Sequence, residues 1–294
     1  MKPQTPNQKP KSRLAAIPPS IARVLTAVVL LPILIASILI AKLALLFVVI
    51  AAVAMVIALW EFWLLARRQQ VKADVAAGYL GAAALLTVFY FADSRNGLDL
   101  EIMQAIILVF TMGALAAAML RGAPFDKMIM SVGATVLGVL YVALLGGHLV
   151  AVRVGFSAPL SRHLLSFFFL VIMSADSAAY YGGRTFGSHK LAPVISPGKT
   201  WEGAVAGMMM SLLAAALAHV WFFPELPLKL ALPLAAVMNV LSVVGDLTES
   251  ALKRSAGAKD TANILPGHGG VLDRLDSLLF NAPVIYYFAR LYFK

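Results

Sequence analysis

Apolar residues in this chain come in long runs, and short segments between them hold most of the charge. A helix needs about 20 mainly apolar residues to cross a bilayer. Nine stretches approach that length: roughly 23–41, 43–65, 75–92, 102–120, 128–150, 164–182, 203–223, 229–247 and 277–293. The pattern predicts an all-α integral membrane protein, a polytopic bundle of about nine transmembrane helices forming one membrane domain over 23–294. Only the neighbourhood of Lys42 separates the first two runs, which leaves a hairpin and one long bent element both open. Pro32, Pro233 and Pro283 lie inside runs, and kinks there are tolerated where neighbouring helices satisfy the freed carbonyls. Residues 1–22, rich in Pro and Lys, read as a disordered cytoplasmic tail attracted to anionic lipid. The run behind them is longer than a signal-peptide core, so the expectation is an uncleaved first span.

Composition sharpens this picture. Of 294 residues, 61% are hydrophobic and 13% charged, against about 25% charged in soluble domains. With no cysteine, disulfides and thiolate metal sites are excluded. A net charge of +10 does not indicate nucleic acid, because the positive residues sit between apolar runs as membrane orientation requires. With nine spans and the amino terminus inside, 17 of the 24 Lys and Arg fall in inside segments and seven outside. That bias predicts a cytoplasmic amino terminus. Segments 183–202 and 248–274 then share the cytoplasmic face, where nucleotides are available.

Candidate chemistry concentrates in the last 120 residues, over 176–276. Within Gly245–Asp276 stand Asp246, Glu249, Lys253, Arg254, Lys259, Asp260, His268, Asp273, Arg274 and Asp276, around the pair Gly269-Gly270. On a helix, Asp246, Glu249, Ser250, Lys253 and Arg254 share one face. The plainer reading is a solvated helix end with one Glu249–Lys253 pair. Asp246 resists it, because it directly follows the apolar MNVLSVVG, and acids at membrane depth are costly and usually functional. Asp273 and Asp276 stand three apart before the last span. Taken alone, they read as helix-capping acids; with Asp246 and a glycine turn that permits close backbone approach, three carboxylates suit a hard cation such as Mg²⁺. His268, with no His or Cys partner nearby, is a loop residue or a phosphate contact rather than a zinc ligand.

A third cluster runs from Ala175 to Gly203. Asp176 interrupts the apolar LLSFFFLVIMSA, either as an interhelical hydrogen-bonding group or as part of the site. Arg184, Lys190 and Lys199 follow it as candidates for holding phosphate. Gly198-Lys199-Thr200 is not a phosphate-binding P-loop: the required first glycine is Pro193, and a span rather than a βα unit follows.

At these residues the chain resembles the phosphatidate cytidylyltransferases, also called CDP-diacylglycerol synthases. Their signature reads S-x-apolar-K-R-x₄-K-D-x-small-x₂-apolar-P-x-H-G-G-apolar-x-D-R-apolar-D. Ser250, Lys253, Arg254, Lys259, Asp260, Ala262, Pro266, His268, Gly269, Gly270, Asp273, Arg274 and Asp276 fill its fixed positions. Ser196-Pro197-Gly198-Lys199-Thr200-Trp201-Glu202-Gly203 resembles a second family block, and Trp60-Glu61 an early W-E pair. Ile195 and Ala178 depart from the family pattern without touching a charged group. The resemblance implies a dimeric nine-span bundle of the cell's inner (plasma) membrane. It implies a two-cation centre on Asp246, Asp273 and Asp276 that includes Mg²⁺, and transfer of CMP from CTP to phosphatidic acid. The implied roles are catalytic for Asp246, Asp273, Asp276, Lys253, Arg254 and His268. Lys190, Lys199, Lys259, Arg274, Asp176, Gly269 and Gly270 would bind the substrates.

Two alternatives remain at this stage: a cytidylyltransferase or polyprenol kinase acting on another lipid, and a membrane transporter. A transporter should show paired broken segments in two related halves, whereas the polar residues here crowd into the carboxy-terminal part.

Overall fold

The computed structural model describes residues 19–92, 97–123, 125–262 and 269–293. Its helices are α1 (Pro19–Leu39), α2 (Ala44–Arg68), α3 (Val75–Tyr90), α4 (Leu100–Leu120), α5 (Met128–Gly138), α6 (Leu145–Val154), α7 (Ala158–Phe186), α8 (Trp201–Trp221), α9 (Leu228–Ser255) and α10 (Leu272–Tyr292). A π-helical segment, Val139–Leu144, joins α5 and α6 into one rod. The described residues therefore form nine rods, one for each predicted run. Six rods, counting the short turn before α2, are long and apolar enough to cross a membrane: Ala41–Arg68, Leu100–Leu120, Met128–Val154, Ala158–Phe186, Trp201–Trp221 and Leu228–Ser255. At 16 residues, α3 spans only about 24 Å. In α10 the early acids lower the apolarity. Of the expected tail, residues 1–18 lie outside the described residues, and the chain is already helical from Pro19.

Three differences from the expected pattern bear on the site. Between α1 and α2 the chain breaks, with extended backbone at Ile40 and a 3₁₀ turn over Ala41–Leu43, so one continuous bent helix is excluded. Helices α7 and α9 run about one and two turns past their apolar stretches, and α10 begins five residues before its own. Periodicity of apolar residues cannot register such polar extensions. Finally, the segment between α7 and α8 is a two-stranded antiparallel hairpin, β1 (Lys190–Ala192) and β2 (Ser196–Thr200), where only a loop was expected.

Most core packing is apolar and lies between rods, with Trp63, Phe89, Phe167, Phe168, Phe223 and Tyr286 almost fully enclosed. Polar contacts mark the two ends of the bundle. At one end Arg121 pairs with Asp74 at 2.9 Å, Gln69 donates to Ser255 at 2.9 Å, and Arg254 Nε donates to Ile195 O at 3.3 Å. The connections after α2, α4, α7 and α9 thus gather on one face, as the charge pattern predicts for 183–202 and 248–274. At the other end Arg153, buried, donates to the carbonyls of Ser37 and Ile40 at 3.2 and 3.1 Å. Ser37 lies in the last turn of α1, whose carbonyls lack helical partners, and Ile40 in the break after it, where its carbonyl also accepts from Leu43 N at 3.0 Å.

Candidate active site

The ends of α7, α9 and α10 and the hairpin build the site. The hairpin is fixed at its base: Trp201 N donates to His189 O at 3.0 Å, and the Glu202 carboxylate accepts from His189 N at 3.1 Å and meets its ring Nδ1 at 2.6 Å. Thr200 Oγ1 caps α8, accepting from Gly203 N at 3.2 Å. These contacts leave the side chain of Lys199 facing α9, where its Nζ lies 2.6 Å from Asp246 Oδ2.

Asp246 and Asp276 come together because α9 and α10 touch through Gly245. A Cβ there would stand 2.5 Å from the carbonyl oxygen of Asp276, so only glycine allows this approach. Asp276 interacts electrostatically with Asp246, Asp176 and Lys199, and Asp176 on α7 with Asp246 and Lys199. Three carboxylates from three helices therefore share the field of Lys199. The group is open: Asp176 is exposed, and Asp246 keeps 38% of its side-chain surface.

Beside it lies a closed cluster. Lys253 Nζ sits 2.5 Å from Glu249 Oε2 and 3.0 Å from Asp273 Oδ1, with the Glu249 side chain wholly buried. Asp273 Oδ2 also accepts from Gly270 N at 2.9 Å. The expected Glu249–Lys253 pair therefore forms, but inside the protein rather than at a solvated helix end, and Asp273 holds the glycine turn ahead of α10 rather than the N-cap itself. The expected trio of Asp246, Asp273 and Asp276 is not gathered into one cluster. Among the described residues no group of three or more His, Asp or Glu is gathered to hold a metal ion; Lys199 lies on Asp246 and Lys253 on Asp273.

Sequence reasoning noted Glu61 but gave it no role. On α2, fully buried, its Oε2 accepts from Leu272 N at 2.7 Å and Thr261 Oγ1 at 3.3 Å, and its Oε1 from Val271 N at 3.0 Å. A carboxylate from another helix thus satisfies the first N–H groups of α10, a place where the helix dipole favours negative charge. Gly270 is compressed into this joint: a Cβ would collide with Thr261 Oγ1 and lie 2.8 Å from Glu61 Oε2. One signal was available, since Glu61 is a single acid within the apolar ALWEFWLL and intramembrane acids are rarely idle.

The other expected residues scatter. Arg254 donates to Ile195 O and Ala258 O, bracing the hairpin. Lys190 and Lys259 are exposed, as is Arg274 at the start of α10. Gly269 takes a positive φ of 83° ahead of the helix, and His268 lies outside the described residues.

Comparison with known proteins bears on this geometry. A sequence model described as the cytidylyltransferase family matches residues 21–292. A Bacillus subtilis protein named phosphatidate cytidylyltransferase is 34% identical over 207 residues, covering 69% of this chain and 72% of the relative. A Haemophilus influenzae protein of that name is 43% identical over 129 residues, 42% of this chain and 45% of the relative. One from Pseudomonas aeruginosa is 45% identical over 127 residues, 43% and 47% respectively. The chain thus spans a little under half the length of the Haemophilus and Pseudomonas relatives it matches.

Proposed function

Because the chain belongs to the cytidylyltransferase family, we propose that it transfers CMP from CTP to phosphatidic acid, giving CDP-diacylglycerol and pyrophosphate. The observation that carries this reading is the open group of Asp176, Asp246 and Asp276 with Lys199, where the ends of α7, α9 and α10 meet. A phosphomonoester has a second pKa of about 6, so the lipid phosphate is largely a dianion near neutral pH. Its oxygen attacks the α-phosphorus of CTP, one P–O bond forms, and the α–β bridging bond breaks, its electron pair leaving with pyrophosphate. No strong base or covalent intermediate is needed.

The chain's task is to hold two polyanions together. Lys199 already grips a carboxylate oxygen at 2.6 Å, a distance at which it would grip a phosphate oxygen. The donor set also fits Mg²⁺, since carboxylate oxygens are the ligands a hard cation takes and the open group holds more acids than lysines. Asp246, Asp273 and Asp276 would hold the proposed pair of cations, Asp273 being the least available of them. When bound, such a pair stabilises charge on attacking and leaving oxygens. The test is direct: purified protein, labelled CTP, phosphatidic acid and Mg²⁺ should yield a labelled lipid, and its absence would refute the activity.

The same proposal puts the site and the amino terminus on the cytoplasmic side of the inner membrane. It rests on the charge bias and on the supply of CTP. A cysteine replacing Ser255 in this cysteine-free chain should resist an impermeant thiol reagent in intact cells and react in inverted vesicles. Labelling from outside would reverse the topology. Pairing of two copies is also proposed, and native mass spectrometry returning only monomer would remove it.

A further inference from the structure

One buried group has no assigned work. Tyr141 lies in the π-helical segment Val139–Leu144, and π segments are rare and frequent at functional sites. Tyr141 is 7% exposed, and its hydroxyl has no hydrogen-bond partner among the described residues. Leaving such a group unpaired costs roughly 1–3 kcal/mol, so an idle hydroxyl should not persist where phenylalanine fits. Its surroundings are specific. The ring packs against Phe62 on α2 and edge-on against Phe280 on α10, with centroids 6.1 and 6.2 Å away. Phe280 is one turn beyond Asp276 along α10, and the group interacts electrostatically with Asp276, Glu249 and Asp246. The phenol therefore meets the acid group from the apolar side, between the carboxylates and the interior of the bundle.

We propose that the Tyr141 hydroxyl belongs to the lipid half of the site and donates a hydrogen bond to a phosphate oxygen of the bound lipid. The inference rests on the lipid-phosphate reading above. CTP arrives from water, whereas the lipid keeps its tails in the bilayer, so a donor on the apolar side meets the lipid phosphate. A neutral donor to a charged acceptor suits this position, because it adds binding without adding a cation at membrane depth.

The test compares wild type with Tyr141→Phe in mixed micelles. A hydrogen bond to a charged oxygen accounts for roughly a ten- to hundredfold change. The expected result is a loss of that size in kcat/KM for phosphatidic acid, with KM for CTP unchanged. The rise in melting temperature on adding phosphatidic acid, which needs no turnover, should shrink in the variant. Diacylglycerol, lacking the phosphate, should shift both proteins equally. Three outcomes would overturn the proposal: unchanged lipid kinetics with a higher melting temperature, a defect confined to CTP, or a variant that does not fold and so reveals a structural partner. Wild type that binds phosphatidic acid through Tyr141 but makes no labelled lipid would instead sink the transferase reading alone.

Discussion

Two groups of carboxylates stand side by side at one end of this bundle, and they differ in what surrounds them. In the closed group every acid has a nearby partner: Glu249 and Asp273 share Lys253, and Glu61 takes two backbone N–H groups and a threonine hydroxyl. The side chains of Glu249, Asp273 and Lys253 are 0, 9 and 14% exposed. In the open group three acids share Lys199, and Asp246 is 38% exposed. Buried charges persist when paired, and Lys253 faces both Glu249 and Asp273, so the closed group reads as the joint that sets α9, α10 and α2. The open group keeps charge unspent, and that charge is available to ligands.

The comparison can be broken first at Asp276. Asp276→Asn keeps the volume and removes the charge, so turnover should fall about a thousandfold with little change in melting temperature. Asp246→Asn added to it should scarcely worsen the loss, since groups acting together are non-additive. Near-normal turnover at limiting Mg²⁺ would detach Asp276 from the chemistry.

The two lysines then separate the groups. Lys253→Gln strands two buried carboxylates and should destabilise the fold by about 3–5 kcal/mol. Lys199→Gln frees a half-exposed acid, so stability should drop by less than about 1 kcal/mol while kcat/KM falls roughly a hundredfold. Melting curves beside steady-state kinetics decide, and the reverse pattern would exchange the roles given to the two groups.

Glu61→Gln turns an amide donor toward N–H donors, so about 3 kcal/mol of stability should go, read as a lower melting temperature in detergent. The molecules that remain folded should keep their affinity for CTP. The smallest effect is expected at Arg254, which touches backbone carbonyls rather than acids. Arg254→Lys should cost about 0.5–1.5 kcal/mol, visible as a shallow drop in the same melt. A kinetic collapse without such a drop would return Arg254 to the phosphates.

Much of this arrangement was legible in the sequence, for identifiable reasons. Each rod follows from an apolar run, and Asp246, Asp273 and Asp276 stood out because acids are scarce so close to apolar stretches. The pairings were less visible. Lys199 reaches Asp246 through a hairpin whose strands are three and five residues long, too short for alternation to register, with Pro197 inside the second strand and Pro193 in the turn before it. Glu61 has partners 200 and more residues away, and no local pattern encodes such a distance. The inclusion of Asp176 in the open group depends on how α7 packs against α9, which periodicity does not set.

The joint at Glu61 has a consequence for how the protein is made. A ribosome extends a chain at about 5–20 residues per second, and Val271, the acceptor's partner, lies 210 residues downstream. Glu61 therefore enters the bilayer some 10–40 seconds before the N–H groups it will hold have been synthesised. For that interval the nascent protein carries an unmatched acid, and α10 is the helix that resolves it. A chain stopped before α10 loses more than one helix: it leaves a buried acid without the backbone N–H groups that match it.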